Sequence, residues 1–322
     1  MEFSRRSFLG LAAAMGCAGL RSALAGDAPV AFDDNLSVFV SDIHVSGTEP
    51  EERSTQRRLA SFVDEVLAMR PRPRRVVSLG DLAYLWGRAE DYAASKPHLA
   101  RLSAAGIELV FCMGNHDRRA AFAQSWPGVL EKSPVPGRFV SVTSLGTCDL
   151  VVLDGLQGTD DRGEKDMGPG TGLLTPDQIA WVKAELPKRT RPFLVASHFP
   201  VHELTMSQKK NDGLARWLMK HAPQCKGYIH GHDHRWRPEW VKEDWGKPAS
   251  MRVVCLPSCG LWGDIGWAVV RTSADRAVCA VEIRDFYFPR EPGSSARPGP
   301  WKVKVEENRG QKVTFLYDRE GV

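Results

Sequence analysis

Three apolar runs rich in β-branched residues, at 36–41, 75–79 and 107–113, alternate with two segments of helical period. The first such segment, 53–69, places Leu59, Phe62, Val63, Val66 and Leu67 on one face and stops before Pro71. The second, 89–105, contains Pro97, which predicts a kink or a break. A β-α-β-α-β order needs a crossover between successive strands and therefore predicts a parallel sheet. Ligand sites in such sheets lie beyond the carboxyl ends of the strands.

Further along, 139–142 and 149–153 predict an antiparallel pair, and the glycine-rich, charged stretch 155–172 predicts a long surface loop. Thr175-Pro176, with Gln178 three residues after the cap, predicts a helix start; that helix runs to about Leu186 and ends at Pro187. Strands are expected at 193–196, at 227–229 and around Val253, Val269 and Val281, and a short helix at 214–220. Residues 289–300 are rich in Pro, Gly and Ser and read as a linker; the alternating tail 301–317 is expected to add strands.

Chemistry concentrates in five blocks: Asp42-Ile43-His44, Gly80-Asp81, Gly114-Asn115-His116-Asp117, His198, and Gly231-His232-Asp233-His234. Nearly every block follows a β-prone run, so rigid strands would aim oxygen and nitrogen donors at one point. In an extended segment residues i and i+2 face the same way, so Asp42 with His44, and His232 with His234, form candidate ligand pairs. Glycines 80, 114 and 231 allow close backbone approach. Two carboxylates, an amide and several imidazoles suit zinc, iron or manganese better than calcium.

This ordered set resembles the calcineurin-like metallophosphoesterase superfamily over roughly residues 36–240. The resemblance implies an α/β fold, a four-layer αββα sandwich, with a binuclear site. It implies that Asp42, His44 and His234 hold one metal, that Asn115, His198 and His232 hold the other, and that Asp81 bridges them. His116 would be the catalytic histidine beside the leaving oxygen. Asp117 reads as orienting it or bonding behind the ligands, with capping of the next helix as the alternative. Two divalent ions less two aspartates leave a positive pocket that attracts phosphate. Metals about 3.5–4 Å apart can polarise the phosphoryl group and activate a bridging hydroxide for in-line attack. The expected substrate is a small phosphorylated molecule, a nucleotide among the candidates. Mono- and diester hydrolysis both stay open.

Departures from the family's branches narrow the resemblance. Tyr84 and the run Val195-Ala196-Ser197-His198 look like the purple acid phosphatases, but those lack a first-block histidine and His44 is present. The serine/threonine phosphatase signatures are missing. Gly-Asn-His-Asp with Asp-x-His is more similar to the branch containing cyclic-nucleotide phosphodiesterases. The alternatives are a purple-acid-phosphatase-like monoesterase, or a non-catalytic metal-binding relative. The latter usually loses the bridging aspartate or the catalytic histidine, and this chain has both. Enzymes of the 5′-nucleotidase type usually carry a large second domain, for which no length is expected here. Among the other histidines, His230 reads as packed behind the ligands, His98 and His221 as surface residues, and His202 as either surface or phosphate contact. Asp233 is expected to project away from its neighbours. Trp236, Trp240, Trp245 and Trp262 could wall a nucleobase site, but core packing is the commoner use of such residues.

The N-terminus carries an address. Arg5-Arg6 precedes a small-residue apolar stretch from 10 to 20 and then Ala23-Leu24-Ala25, as in a twin-arginine export signal. The expectation is a signal peptide at 1–25, recognition by the twin-arginine translocase, and folded export to the periplasm or beyond. Residues 26–288 would form the catalytic domain and 289–322 the linker and strand extension. The apolar stretch is too short for a membrane span, and none is expected in the mature chain. Loss of residues 1–25 lowers the formal charge from +4 to +2, too little for binding to duplex nucleic acid. Six of the seven cysteines remain after cleavage, an even count that allows a disulfide in an oxidising compartment; Cys255 with Cys259 is the first pair to check, and Cys112 and Cys279 read as buried thiols.

Overall fold

The computed structural model describes residues 30–48, 55–157, 172–207, 213–242, 250–260, 263–273, 278–284 and 312–316. The expected signal peptide, the linker and most of the 155–172 loop lie outside them. The first half runs β1 (Phe32–Val40), α1 (Gln56–Ala68), β2 (Arg72–Leu79), α2 (Ala89–Ala104), β3 (Glu108–Cys112) and α3 (Arg119–Ser125). Next come β4 (Ser141–Ser144), β5 (Asp149–Val152), α4 (Pro176–Glu185), β6 (Phe193–Ala196), α5 (Leu214–His221) and β7 (Cys225–His230). The chain then adds β8 (Arg237–Lys242), β9 (Ser250–Cys255), β10 (Trp267–Thr272), β11 (Val278–Arg284) and β12 (Lys312–Leu316).

These strands form two six-stranded sheets, in the orders β12-β11-β10-β1-β2-β3 and β4-β5-β6-β7-β9-β8. β1, β2 and β3 pair in parallel, as do β5, β6, β7 and β9; β10, β11 and β12 continue the first sheet antiparallel from β1, and β4 and β8 pair antiparallel at the two edges of the second. Side-chain alternation sorts the core into three apolar layers. Leu36, Val38 and Val40 of β1 face α1 and α2, meeting Leu59, Phe62, Tyr92 and Leu102. Phe39, one residue out of phase, faces the other sheet and joins Val77, Leu150, Leu194, Ile229 and Val254. Val151, Val195, Tyr228 and Val253 point outward to Val182 of α4 and to Leu214 and Leu218 of α5. Helix, sheet, sheet and helix are thus stacked as four layers. Strands buried on both faces read as continuous apolar runs, which is why they were prominent in the sequence. Each fully buried Leu, Val or Phe in these layers contributes about 1.5–3 kcal/mol.

Several local expectations change. α2 runs through Pro97 without a break; the proline is exposed, so the carbonyl it leaves without a donor faces water. Gln178 does not reach back to the Thr175 backbone. It turns inward and exchanges bonds with the Asp154 backbone at 3.1 and 2.8 Å. Cys255 and Cys259 are free buried thiols, not a disulfide: Cys255 Sγ lies 3.4 Å from Gly231 O, whereas Cys259 packs in the helix-side core of the first sheet. Phe315 of β12 sits between the sheets. No helix among the described residues is long and apolar enough to cross a membrane.

Candidate metal centre

The carboxyl ends of the parallel strands converge on one edge of the sandwich. β1, β2 and β3 deliver Asp42 with His44, Asp81 and Asn115; β6 and β7 deliver His198 and His232 with His234. The ligand segments are not extended. Asp42, His44, Asp81, His232 and His234 all have left-handed backbones, with φ between 50° and 69°, and they are the five such non-glycine residues among the described ones. Asp, Asn and His tolerate this region better than other side chains, at a cost of about 1–2 kcal/mol each. The i, i+2 pairs therefore converge because both members turn left-handed, which corrects the extended-segment expectation. Strain gathered at one point marks a functional site. Close approach adds a further constraint: a Cβ on Gly231 would collide with Ser41 Oγ and come within 2.6 Å of Asp42 Oδ2.

The donors form two sets that share Asp81. One ligand atom each from Asp42, His44, Asp81 and His234 lies within 4.8 Å of the others. Within that set His44 Nε2 faces His234 Nε2 at 3.3 Å, and His234 Nε2 is 3.0 Å from Asp42 Oδ1. In the second set Asn115 Oδ1 lies 3.0 Å from His198 Nε2 and 2.9 Å from His232 Nδ1. Asp81 Oδ2 reaches both sets, at 3.7 Å from His44 Nε2 and 3.3 Å from His198 Nε2. The His198 Nδ1–H donates to the Leu79 carbonyl at 2.8 Å, which leaves Nε2 as the atom aimed inward.

This donor set fits a transition-metal cation. Two imidazole nitrogens at 3.3 Å cannot turn lone pairs on each other unless a cation or proton lies between them. Burial alone would raise the Asp42 and Asp81 carboxyls. The surrounding histidines, His234 for Asp42 and His198 for Asp81, outweigh it and hold both well below the usual carboxylate range. Burial would lower His198, yet the Asp81 and Asp42 carboxylates lift it to about 10. A field that retains a proton so strongly also attracts a metal ion. His44, dominated by burial, is pushed down to about 4 and is a neutral donor at pH 7.

The two residues expected to act in catalysis part company. His116 Nε2 lies 4.0 Å from Asp81 Oδ2, and its Nδ1 is 2.9 Å from the Leu85 carbonyl. Leu85, not Asp117, orients the ring. Asp117 is fully buried and accepts from Gly114 N at 2.9 Å, Ala83 N at 3.2 Å and the Tyr92 hydroxyl at 3.1 Å. It ties the Asp81 loop to the Asn115 loop and both to α2. Burial, then the Asp81 charge, raises its carboxyl to about 6.

Of the remaining expectations, His230 is buried with Nδ1 2.8 Å from Gly231 O. Asp233 points away to Arg237 at 2.6 Å, and His202 is exposed. Trp236 packs between the sheets, while Trp240 is exposed on edge strand β8 with Arg252 4.5 Å above its ring. Trp245 and Trp262 lie outside the described residues. The sequence reading missed the loop after β9, where Ser258 and Asp264 bond to the backbones of Asp42 and His234. The run Leu256-Pro257-Ser258-Cys259-Gly260 was the available signal, because it too follows a strand.

The four-layer sandwich thus carries a candidate metal centre beyond the carboxyl ends of its parallel strands. Residues 37–236 match the calcineurin-like phosphoesterase family, and the chain belongs to it. A probable cyclic nucleotide phosphodiesterase of Rhodopseudomonas palustris is 27% identical over 298 residues, covering 87% of this chain and 93% of the relative. Similar solved structures include a predicted phosphoesterase from Streptococcus pneumoniae, at 11% identity and TM-score 0.37, covering 88% of this chain and 97% of that one. A 5′-nucleotidase precursor from Thermus thermophilus aligns at 18% identity and TM-score 0.39, covering 74% of this chain and 51% of that one.

Proposed function

We propose that the chain is an exported phosphoesterase that holds two divalent or trivalent transition-metal ions and hydrolyses phosphodiester or phosphomonoester bonds. The observation that carries this reading is the position of Asp81, one carboxylate oxygen of which stands between the two donor sets. Asp42, His44 and His234 would hold one ion, Asn115, His198 and His232 the other, and Asp81 both. When bound, such a pair supplies Lewis acidity toward the phosphoryl group and an activated water. The protein's own contribution is placement and proton transfer. Asp81 Oδ1 accepts the His116 backbone N–H at 2.8 Å, which fixes the histidine relative to the centre. His116 keeps its Nδ1 proton on Leu85 and, in its doubly protonated form, can pass the Nε2 proton to the departing alkoxide. The Rhodopseudomonas relative favours a nucleotide-type diester over a simple monoester.

Export rests on the arginine pair and cleavage site of residues 1–25, with 26–288 as the catalytic domain and 289–322 as its extension. The deciding experiment loads the metal-free protein with Mn²⁺, Zn²⁺ or Fe²⁺. Turnover of bis-p-nitrophenyl phosphate, p-nitrophenyl phosphate and 3′,5′-cyclic nucleotides is then compared. Saturable hydrolysis of at least one ester supports the reading. Full metal occupancy with no hydrolysis of any ester would replace it with a non-catalytic metal-binding role.

A further inference from the structure

The segment after β9 lies beyond the family match, yet it grips two of the left-handed ligand residues. Ser258 is fully buried; its hydroxyl donates to the Asp42 carbonyl at 2.8 Å and accepts the Gly260 N–H at 3.0 Å. Gly260 N donates to the same Asp42 carbonyl at 3.0 Å. A Cβ on Gly260 would come within 2.8 Å of that oxygen, so the approach requires glycine. Arg58 of α1 donates to the Gly260 carbonyl and anchors the segment on the first helix. At its other end Asp264 N donates to the His234 carbonyl at 2.8 Å. The Asp264 carboxylate takes the Trp236 N–H at 2.9 Å, and its carbonyl accepts from Ser258 N at 2.8 Å. One short segment therefore pins the peptide planes of Asp42 and His234, which belong to the same donor set. Asn115, His198 and His232 are held instead by one another, by the Leu79 carbonyl and by Asp42.

We propose that Ser258 and Asp264 are positioning residues that set ion affinity at the Asp42–His44–His234 half of the centre, separately from the Asn115–His198–His232 half. The inference rests on the two-ion reading. Its physical basis is that a left-handed Asp or His relaxes when the segment holding its carbonyl loosens, and relaxation swings the side chain: Ser258 donates to the Asp42 carbonyl directly, whereas the Asp264 carboxylate, through Trp236 N–H, holds its own backbone N–H against the His234 carbonyl. Ligand placement to within about 0.5 Å decides metal affinity. Loss of a partner behind the ligands typically costs about 10–100-fold.

The test is calorimetric titration of metal-free protein with Mn²⁺, with elemental analysis after desalting. In wild type, two ions are expected. In Ser258→Ala and in Asp264→Ala, one ion should bind about 10–100-fold more weakly and the other within about twofold of wild type. Asp264→Asn retains an acceptor oxygen for Trp236 N–H and should restore the weakened site. In an Asn115→Ala background, which removes one donor of the other half, Ser258→Ala should still weaken the ion of the Asp42 half by about 10–100-fold. Two unchanged affinities in both variants overturn the inference, and so does equal weakening of both ions. If Ser258→Ala fails to fold, the Asp264→Ala and Asp264→Asn pair decides alone. Wild-type protein that binds a single ion would overturn the two-ion reading itself, which separates that failure from failure of the positioning role.

Discussion

His116 is turned by Leu85: its Nδ1 stands 2.9 Å from that carbonyl, so Nε2 faces Asp81 Oδ2 at 4.0 Å. A carbonyl only accepts, so Nδ1 keeps its proton and Nε2 is the atom available to a leaving group. His116→Ala is therefore expected to retain its metals and lose about 10²–10⁴-fold in turnover, the range for a missing general acid. The loss should be larger for an alkyl than for a nitrophenyl ester, because nitrophenolate needs little protonation. Turnover of both esters, with metal content measured alongside, checks this. Equal losses would remove the general-acid role, and metal depletion would make His116 a ligand.

Asp81→Ala should release the ions together. Its Oδ2 touches His44 of one set and His198 of the other, and its Oδ1 holds the His116 amide. Elemental analysis after desalting is the measurement. Retention of two ions at full occupancy contradicts the bridging role.

Tyr92→Phe should lower stability without removing metal ligands. The hydroxyl donates to Asp117 at 3.1 Å and accepts Arg118 N at 2.7 Å, and both partners would be left buried or half-buried and short of a bond. About 1–3 kcal/mol is expected from urea unfolding. Asp117→Ala strands three donors and should cost more. A Tyr92→Phe variant as stable as wild type would show that water replaces the hydroxyl.

Phe315→Ala should destabilise by about 3–5 kcal/mol, since the ring fills the space between the sheets. Gly227 leaves room for it: a Cβ there would collide with the ring. Thermal unfolding reads the effect. A change below about 1 kcal/mol would mean that β12 contributes little to the core.

Arg5→Lys with Arg6→Lys should leave the precursor in the cytoplasm. Charge is unchanged, so the outcome isolates the guanidinium pair as the recognised feature. Fractionation that finds the doubly substituted protein in the periplasm at wild-type levels would argue against twin-arginine export.

What could be read from the sequence divides along physical lines. β3, β6 and the carboxyl halves of β1 and β2 were legible because strand segments buried on both faces read as apolar runs, and β7 from Tyr228-Ile229 after Gly227. The donors were legible because each group follows such a run. α3 was missed: it is a single short helix with Phe122 as its main buried apolar side chain. β8 was missed because Arg237, Pro238 and Glu239 carry polar and proline signals into an edge strand, where one side needs no partner. Ser258 and Asp264 were out of reach for a different reason. Ser258 acts through a backbone carbonyl 216 residues away in sequence, and Asp264 through that of His234 in another loop. Their own neighbourhood signals a loop after a strand but not which distant carbonyl it meets. The left-handed turns were equally hidden, since Asp-x-His is compatible with either backbone.

The donors are split between the layers: Asp42, His44, Asp81 and Asn115 come from the first sheet, and His198, His232 and His234 from the second. Any ion held there would be a cross-link between two halves of the domain that otherwise meet through apolar contact and polar bonds such as the buried Arg119–Asp154 pair. Its binding energy then adds to the cohesion of the whole sandwich rather than of one loop, growing with free metal as RT ln(1 + [M]/Kd). Metal supply would then set part of the sandwich's stability.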